Sequence, residues 1–151
     1  MSNASKMGPM AVAVVVRQAI AVMYVESPTG LAGAAAAFRQ LEARLPGLKR
    51  RRFYGTFQPP DGPYRACVAI EPGDDPRAMG LQEWTIPGGE YGRAKLDNWE
   101  DHIQEIGSTF ERMARECERD PSRPSVEFYR SQKELVLLFP VKGSGRAPQD
   151  S

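Results

Sequence analysis

The chain has one histidine, His102, and two cysteines, Cys67 and Cys117, in 151 residues. His102 stands near a helix start without clustered partners, so neither a metal centre nor a nucleophile–histidine relay is expected. The cysteines lack CxxC spacing and read as small buried hydrophobes in a reducing cytoplasm. An excess of either charge is also missing. Twenty Lys and Arg face nineteen Asp and Glu, a formal net charge of +1, which gives a nucleic-acid backbone no long-range field to follow. The lone basic run, Lys49-Arg50-Arg51-Arg52, reads as a solvated strand edge that discourages aggregation. Long apolar runs are absent too. Met10 to Val16 is interrupted by Arg17 and Gln18, is too short for a bilayer and has no small-residue cleavage site. These absences point to a cytoplasmic chain without cofactor, metal, membrane or nucleic-acid partner.

What is present is ordinary globular composition, 41% hydrophobic and 26% charged, enough for one domain with a real core. Residues 1–13, with Ser2-Asn3-Ala4 resembling a scar of tag removal, read as a flexible start, and 142–151 as a flexible tail. Between them, 14–141 falls into two similar halves. Val14 to Tyr24 is β-branched and apolar, a strand. Ser27-Pro28-Thr29-Gly30 opens a helix whose apolar positions Leu31, Ala35, Phe38, Leu41 and Leu45 recur until Pro46-Gly47. Arg52 to Gln58 and Tyr64 to Ile70 are strands joined by a proline-rich turn. After the linker Glu71 to Pro76 the order begins again. Leu81 to Ile86 and Tyr91 to Leu96 flank a bend at Pro87-Gly88-Gly89. Asp97 with Glu100 resembles a capping box, and Trp99, Ile103, Ile106, Phe110, Met113 and Cys117 follow as one helical face. Ser125 to Ser131 and Glu134 to Val141 close the second half.

Two β-α-β-β repeats, about 14–70 and 81–141, imply an α+β fold: a mostly antiparallel sheet, two helices on one face, and a ligand groove between the halves. One residue stands out against this frame. Glu127 lies between Val126 and Phe128 in a strongly β-prone run, where a carboxylate is costly to bury without a partner. Either Arg93, Lys95 or Arg130 pairs with it, or it is kept for a cationic ligand or a reaction. Tyr54, Tyr64, Tyr91 and Tyr129 all suit cross-strand packing, and Trp84 suits the core. Trp99 suits either anchoring its helix or stacking on a ligand.

The ordered set Phe53-Tyr54-Gly55, Tyr64 to Ile70, Ile86-Pro87-Gly88-Gly89-Glu90-Tyr91 and Glu127-Phe128-Tyr129 resembles the GyrI-like small-molecule-binding domain, over roughly Val14 to Val141. That family is similar to the effector-binding halves of AraC-type and MerR-type multidrug regulators and also occurs as stand-alone proteins, the type this chain resembles. The resemblance implies a pocket for lipophilic, often cationic aromatic compounds. It assigns Glu127 to the acid at the pocket base and Tyr54 and Tyr64 to its aromatic walls. Trp99 stands where the family often has a Gly-Pro-Tyr-like helix entry; this chain reads Asp97-Asn98-Trp99-Glu100, which makes Trp99 a ligand-stacking candidate. Sensing or sequestration of a drug or toxin is the implied function. Some stand-alone members are similar to hydrolases that open the cyclopropane of DNA-alkylating compounds, and in that alternative Glu127 activates water while Tyr64 donates a hydrogen bond. No exposed motif points to a protein partner.

Overall fold

In the computed structural model, which describes residues 12–143, the runs of Val, Ile, Tyr and Phe form eight strands of one sheet. They are β1 Ala13–Arg17, β2 Ile20–Ser27, β3 Phe53–Phe57, β4 Tyr64–Ala69, β5 Gln82–Ile86, β6 Gly89–Asp97, β7 Ser125–Tyr129 and β8 Glu134–Pro140. Their order is β1-β6-β8-β7-β3-β4-β2-β5, every neighbouring pair antiparallel. The helices are α1 Ala34–Ala43, the single turn α2 Pro76–Met79 and α3 Gln104–Glu116. Each half contributes a three-stranded set with its helix, β3-β4-β2 with α1 and β7-β8-β6 with α3. The halves join where β3 pairs with β7.

The expected first strand, Val14 to Tyr24, is two strands. The break at Gln18-Ala19 puts β1 at one edge of the sheet and β2 beside the opposite edge. Pro87-Gly88 makes the matching jump from β5 to β6. A flat sheet would separate these ends by about 29 Å, six strand spacings of about 4.8 Å, and a two-residue link spans only about 10 Å. The sheet therefore curls until its ends meet. The two links pack together there: a Cβ at Gly88 would lie 2.7 Å from the Ala19 amide nitrogen and 2.8 Å from the Arg17 carbonyl oxygen.

Curling gives the sheet two buried faces. On the outer face, Ala37 and Leu41 of α1 cover Met23, Ala66 and Val68, while Met113 of α3 covers Phe139 and Val141. On the inner face no helix intervenes; Val22, Cys67, Tyr54, Val126 and Val136 pack with Ile86 and Tyr91 from the two ends. Cys67 is fully buried there, and burial pushes its thiol up to about 12. Cys67 and Cys117 are both free.

Two local expectations change. The capping box at Asp97 and Glu100 does not form, because Asp97 stays in β6 opposite Glu134 and Asn98 turns the chain through a left-handed conformation at φ 54°. A short 3-10 turn, Trp99–Asp101, follows, and α3 begins only at Gln104 without a side-chain cap. Trp99 thus precedes the helix, and Ile103 is 59% exposed. The basic run is not wholly solvated either. Arg51 makes two hydrogen bonds to Asp74, at 2.6 and 2.9 Å, and these hold the Asp74 carboxyl below its ordinary range. The flexible ends expected for 1–13 and 142–151 lie almost entirely outside the described residues.

The contact between the two links generates a paired expectation. Gly88→Ala forces a methyl group onto backbone atoms and destabilises the fold by about 1–3 kcal/mol. Gly107→Ala, in α3 with nothing within 4 Å of the added carbon, stabilises it by about 0.5–1 kcal/mol. Urea denaturation of both variants checks the pair, and equal midpoints would contradict the packed links.

Candidate functional site

Residues directly opposite one another in antiparallel strands project to the same face. One such row crosses the sheet through Val25, Ala66, Gly55, Glu127, Leu137 and Ala94. Ala66 and Ala94 in this row pack under α1 and α3, so Glu127 also points to the helix side, at the seam between the halves. The same parity explains why no cation answers it. Arg93 and Lys95 lie opposite Leu138 and Val136, which belong to the inner face, and Arg130 is out of phase with Glu127 along the chain. Lys95 instead reaches Asp97 and Glu134, and Arg130 reaches Glu134.

Glu127 is 9% exposed, and its partners are two phenols. Tyr64 of β4 donates to Oε1 at 2.7 Å, and Tyr129, two residues along β7 on the same face, donates to the same oxygen at 2.6 Å. No donor among the described residues reaches Oε2. Burial raises the Glu127 pKa, and the hydrogen bonds from Tyr129 and Tyr64 pull it partly back. Burial, reinforced by the nearby carboxylate, keeps both phenols protonated far above their ordinary range. They are permanent donors, and both are committed to Oε1.

Aromatic rings roof this carboxyl. Phe38 of α1 meets Tyr64 edge-on at 6.3 Å and Tyr129 at 5.5 Å. Trp99 meets Tyr129 at 5.1 Å and is anchored by its Nε1–H donating to the Ser131 carbonyl at 3.2 Å. Gly55 completes the floor: a Cβ there would collide with the Tyr64 hydroxyl and with Glu127 Oε1. The glycine of Phe53-Tyr54-Gly55 is the space through which the Tyr64 to Glu127 hydrogen bond passes.

Of the residues singled out by sequence, Glu127, Tyr64 and Trp99 come together here, Trp99 through Tyr129. Tyr54 does not. It lies on the inner face, stacked on Phe128 at 4.8 Å with the rings 16° from parallel. Tyr129 and Phe38, read from sequence as packing residues, and Gly55 were not assigned to the site. The i, i+2 spacing of Glu127 and Tyr129 carries that signal, since alternate residues of a strand share a face. Among the described residues no three His, Cys, Asp or Glu side chains gather as around a metal ion; His102 sits at the surface beside Glu105. None of the described helices is long and apolar enough to cross a membrane.

No family model matches the sequence, and no curated protein matches it. Solved structures do match its fold. An integron cassette protein from the mobile metagenome of Vibrio cholerae superposes with a TM-score of 0.68 at 12% identity, over 87% of this chain and 95% of that one. SAV2435, in a structure bound to tetraphenylphosphonium, superposes with a TM-score of 0.56 at 15% identity, over 89% and 95%. A hydrolase from Listeria innocua gives 0.54 at 11% identity, over 93% and 97%. The curled, doubled sheet is thus a fold of small bacterial proteins, one of which was captured with a lipophilic cation.

The burial of Glu127 has a signature in stability. Its folded pKa lies above the ordinary 4.5, so the stability linked to its protonated form is complete below that value and is lost as pH rises through the folded value. Asp120, lowered to about 2 chiefly by hydrogen bonds from Ser122, acts in the opposite sense in a separate acid window. Urea denaturation across a pH series should therefore show Glu127→Gln gaining on the wild type from weakly acid to neutral pH. A difference that stays flat with pH would mean that Glu127 is not desolvated.

Proposed function

We propose that this chain binds lipophilic, often aromatic cations, with Glu127 as the counter-charge and Tyr64, Tyr129, Phe38 and Trp99 as the aromatic enclosure. The observation that carries this reading is a buried carboxyl with two hydroxyls on Oε1, no cation nearby and Oε2 unpartnered. A lipophilic cation brings little hydration into the site and supplies the charge the protein withholds. Each ring face that it meets adds about 0.5–2 kcal/mol, more where water is excluded. The rings that roof Glu127 must part to admit it, so Phe38 and Trp99 are the entry elements. The reading agrees with the GyrI-like resemblance and with the tetraphenylphosphonium bound by a protein of the same fold. Sensing or sequestering such compounds in the cytoplasm is the corresponding role.

Tetraphenylphosphonium and neutral tetraphenylmethane-like analogues, titrated against the Trp99 emission of a Trp84→Phe variant, test this directly. The cation is expected to bind and the neutral analogue to bind much more weakly. Glu127→Gln should remove about 2–4 kcal/mol of cation affinity, the Coulomb energy of two unit charges about 4–8 Å apart at an effective dielectric of about 20, while the protein stays folded. Equal affinity for cation and neutral analogue would take Glu127 out of the account.

A hydrolase reading rests on the same carboxyl and on a second protein of this fold. The unpartnered Oε2 of a carboxyl with raised pKa suits a general base, and one protein of this fold is a hydrolase. In that reading Oε2 removes a proton from water as the water oxygen bonds to a cyclopropane carbon; the ring C–C bond breaks, its electron pair passes into the carbonyl conjugated with the ring, and the proton held by Glu127 is returned to that oxygen. Mass spectrometry after incubation with a cyclopropane-bearing alkylator should then show multiple turnovers to a water adduct. Glu127→Gln should slow turnover by about 10²- to 10⁴-fold. Binding without any adduct leaves sequestration alone.

A further inference from the structure

The inner face of the curled sheet opens at one end, on the side away from Glu127. Thr56 and Arg65 face each other across β3 and β4, and the row continues to Glu26 on β2. A cavity of about 260 Å³ sits over this mouth, with Arg65, Thr56 and Gln58 as polar walls and Trp84, Pro87 and Pro124 as apolar ones. Mouths of closed or nearly closed sheets are places where small ligands bind.

Arg65 is built into this cavity. Its guanidinium lies 4.6 Å from the ring centre of Tyr24 and 4.6 Å from that of Trp84. The rings stand 6.1 Å apart and 73° from parallel, and Tyr24 is itself fixed by donating to Gln82 Oε1 at 3.0 Å. Arg65 Nε donates to Glu26 Oε1 at 3.1 Å. The two Nη amino groups have no hydrogen-bond partner among the described residues. Held by two rings and one carboxylate, this fork has surrendered its rotamer freedom and keeps unused donors, the geometry that suits a planar carboxylate.

We propose a second ligand site in this mouth, selective for small aromatic monocarboxylates. A single negative charge fits because the cavity wall carries one cation, already partly offset by Glu26; a doubly charged phosphate would need a second. An aromatic body fits because Trp84, Pro87 and Pro124 offer flat apolar surface, and 260 Å³ accommodates one substituted ring. The site is independent of the proposed cation site, which lies on the other face of the sheet.

The two tryptophans, Trp84 here and Trp99 beside Tyr129, allow each face to be read alone. In a Trp99→Phe background, titration with benzoate should give a saturable change in Trp84 emission. The neutral isostere benzamide should bind about tenfold or more weakly, a factor of ten being the effect of one lost charge-assisted contact. Arg65→Gln should abolish the preference for the acid, and Arg65→Lys, which keeps the charge and loses the fork, should weaken it. Glu127→Gln in the same background should leave benzoate binding unchanged. Equal binding of benzoate and benzamide, no saturable change, or undiminished selectivity in a folded Arg65→Gln protein would each overturn the proposal. If Arg65→Gln does not fold, the acid and amide comparison on the Trp99→Phe protein decides it alone.

Discussion

A carboxyl buried without a cation is the constraint around which this structure is arranged. Desolvating an ionised carboxylate costs several kcal/mol even after relaxation, and two phenolic hydrogen bonds on Oε1 offset only part of that. The surroundings are committed to making those two bonds possible. Gly55 has no side chain because one would occupy the path from Tyr64 to Glu127. The β3–β7 register places Gly55 opposite Glu127, and Phe38 from α1 fixes both tyrosine rings. A protein selected for stability alone would fill this position with an apolar residue. In the reading proposed above, a positively charged ligand or proton transfer is the reason the acid is kept.

The curl makes that arrangement possible. Because the Gln18-Ala19 and Pro87-Gly88 links bring the ends of the sheet together, the inner face is buried by the sheet itself and both helices are free to flank the outer seam. Tyr54, Cys67 and Val136 are sealed without any helix over them. The outer face is therefore divided into two helix-covered flanks with Glu127 between them, and the inner face ends in an open mouth at Arg65. One sheet thus presents two chemically opposite environments, an acid among aromatic rings and a guanidinium among aromatic rings.

Much of this was legible in the residue order. The β-branched and apolar runs located the strands, the doubled pattern implied a continuous sheet with both helices on one side, and an acid between Val126 and Phe128 marked a carboxylate that is costly to bury. What escaped depends on contacts distant in the chain. The β-branched run from Val14 to Tyr24 has no turn residue at Gln18-Ala19, so only closure of the curl divides it. Asp97 and Glu100 have the spacing of a capping box, but pairing with Glu134 holds Asp97 in its strand. Strand parity was available and informative: Tyr54 is one residue from Gly55 and so faces away from Glu127, while Tyr129 is two residues from Glu127 and so faces with it. Arg93, Lys95 and Arg130 were candidate partners by proximity alone, and parity removes all three.

Proton release on cation binding tests the central claim most directly. If a lipophilic cation replaces the missing counter-ion at Glu127, its binding must favour the ionised carboxyl, whose pKa burial has raised. Titration calorimetry with tetraphenylphosphonium in buffers of different ionisation enthalpy measures the protons exchanged. The account predicts release from the wild type at weakly acid pH, declining toward zero as pH rises past the folded pKa, and none from Glu127→Gln. Binding with no proton release at any pH, or release unchanged in Glu127→Gln, would contradict it.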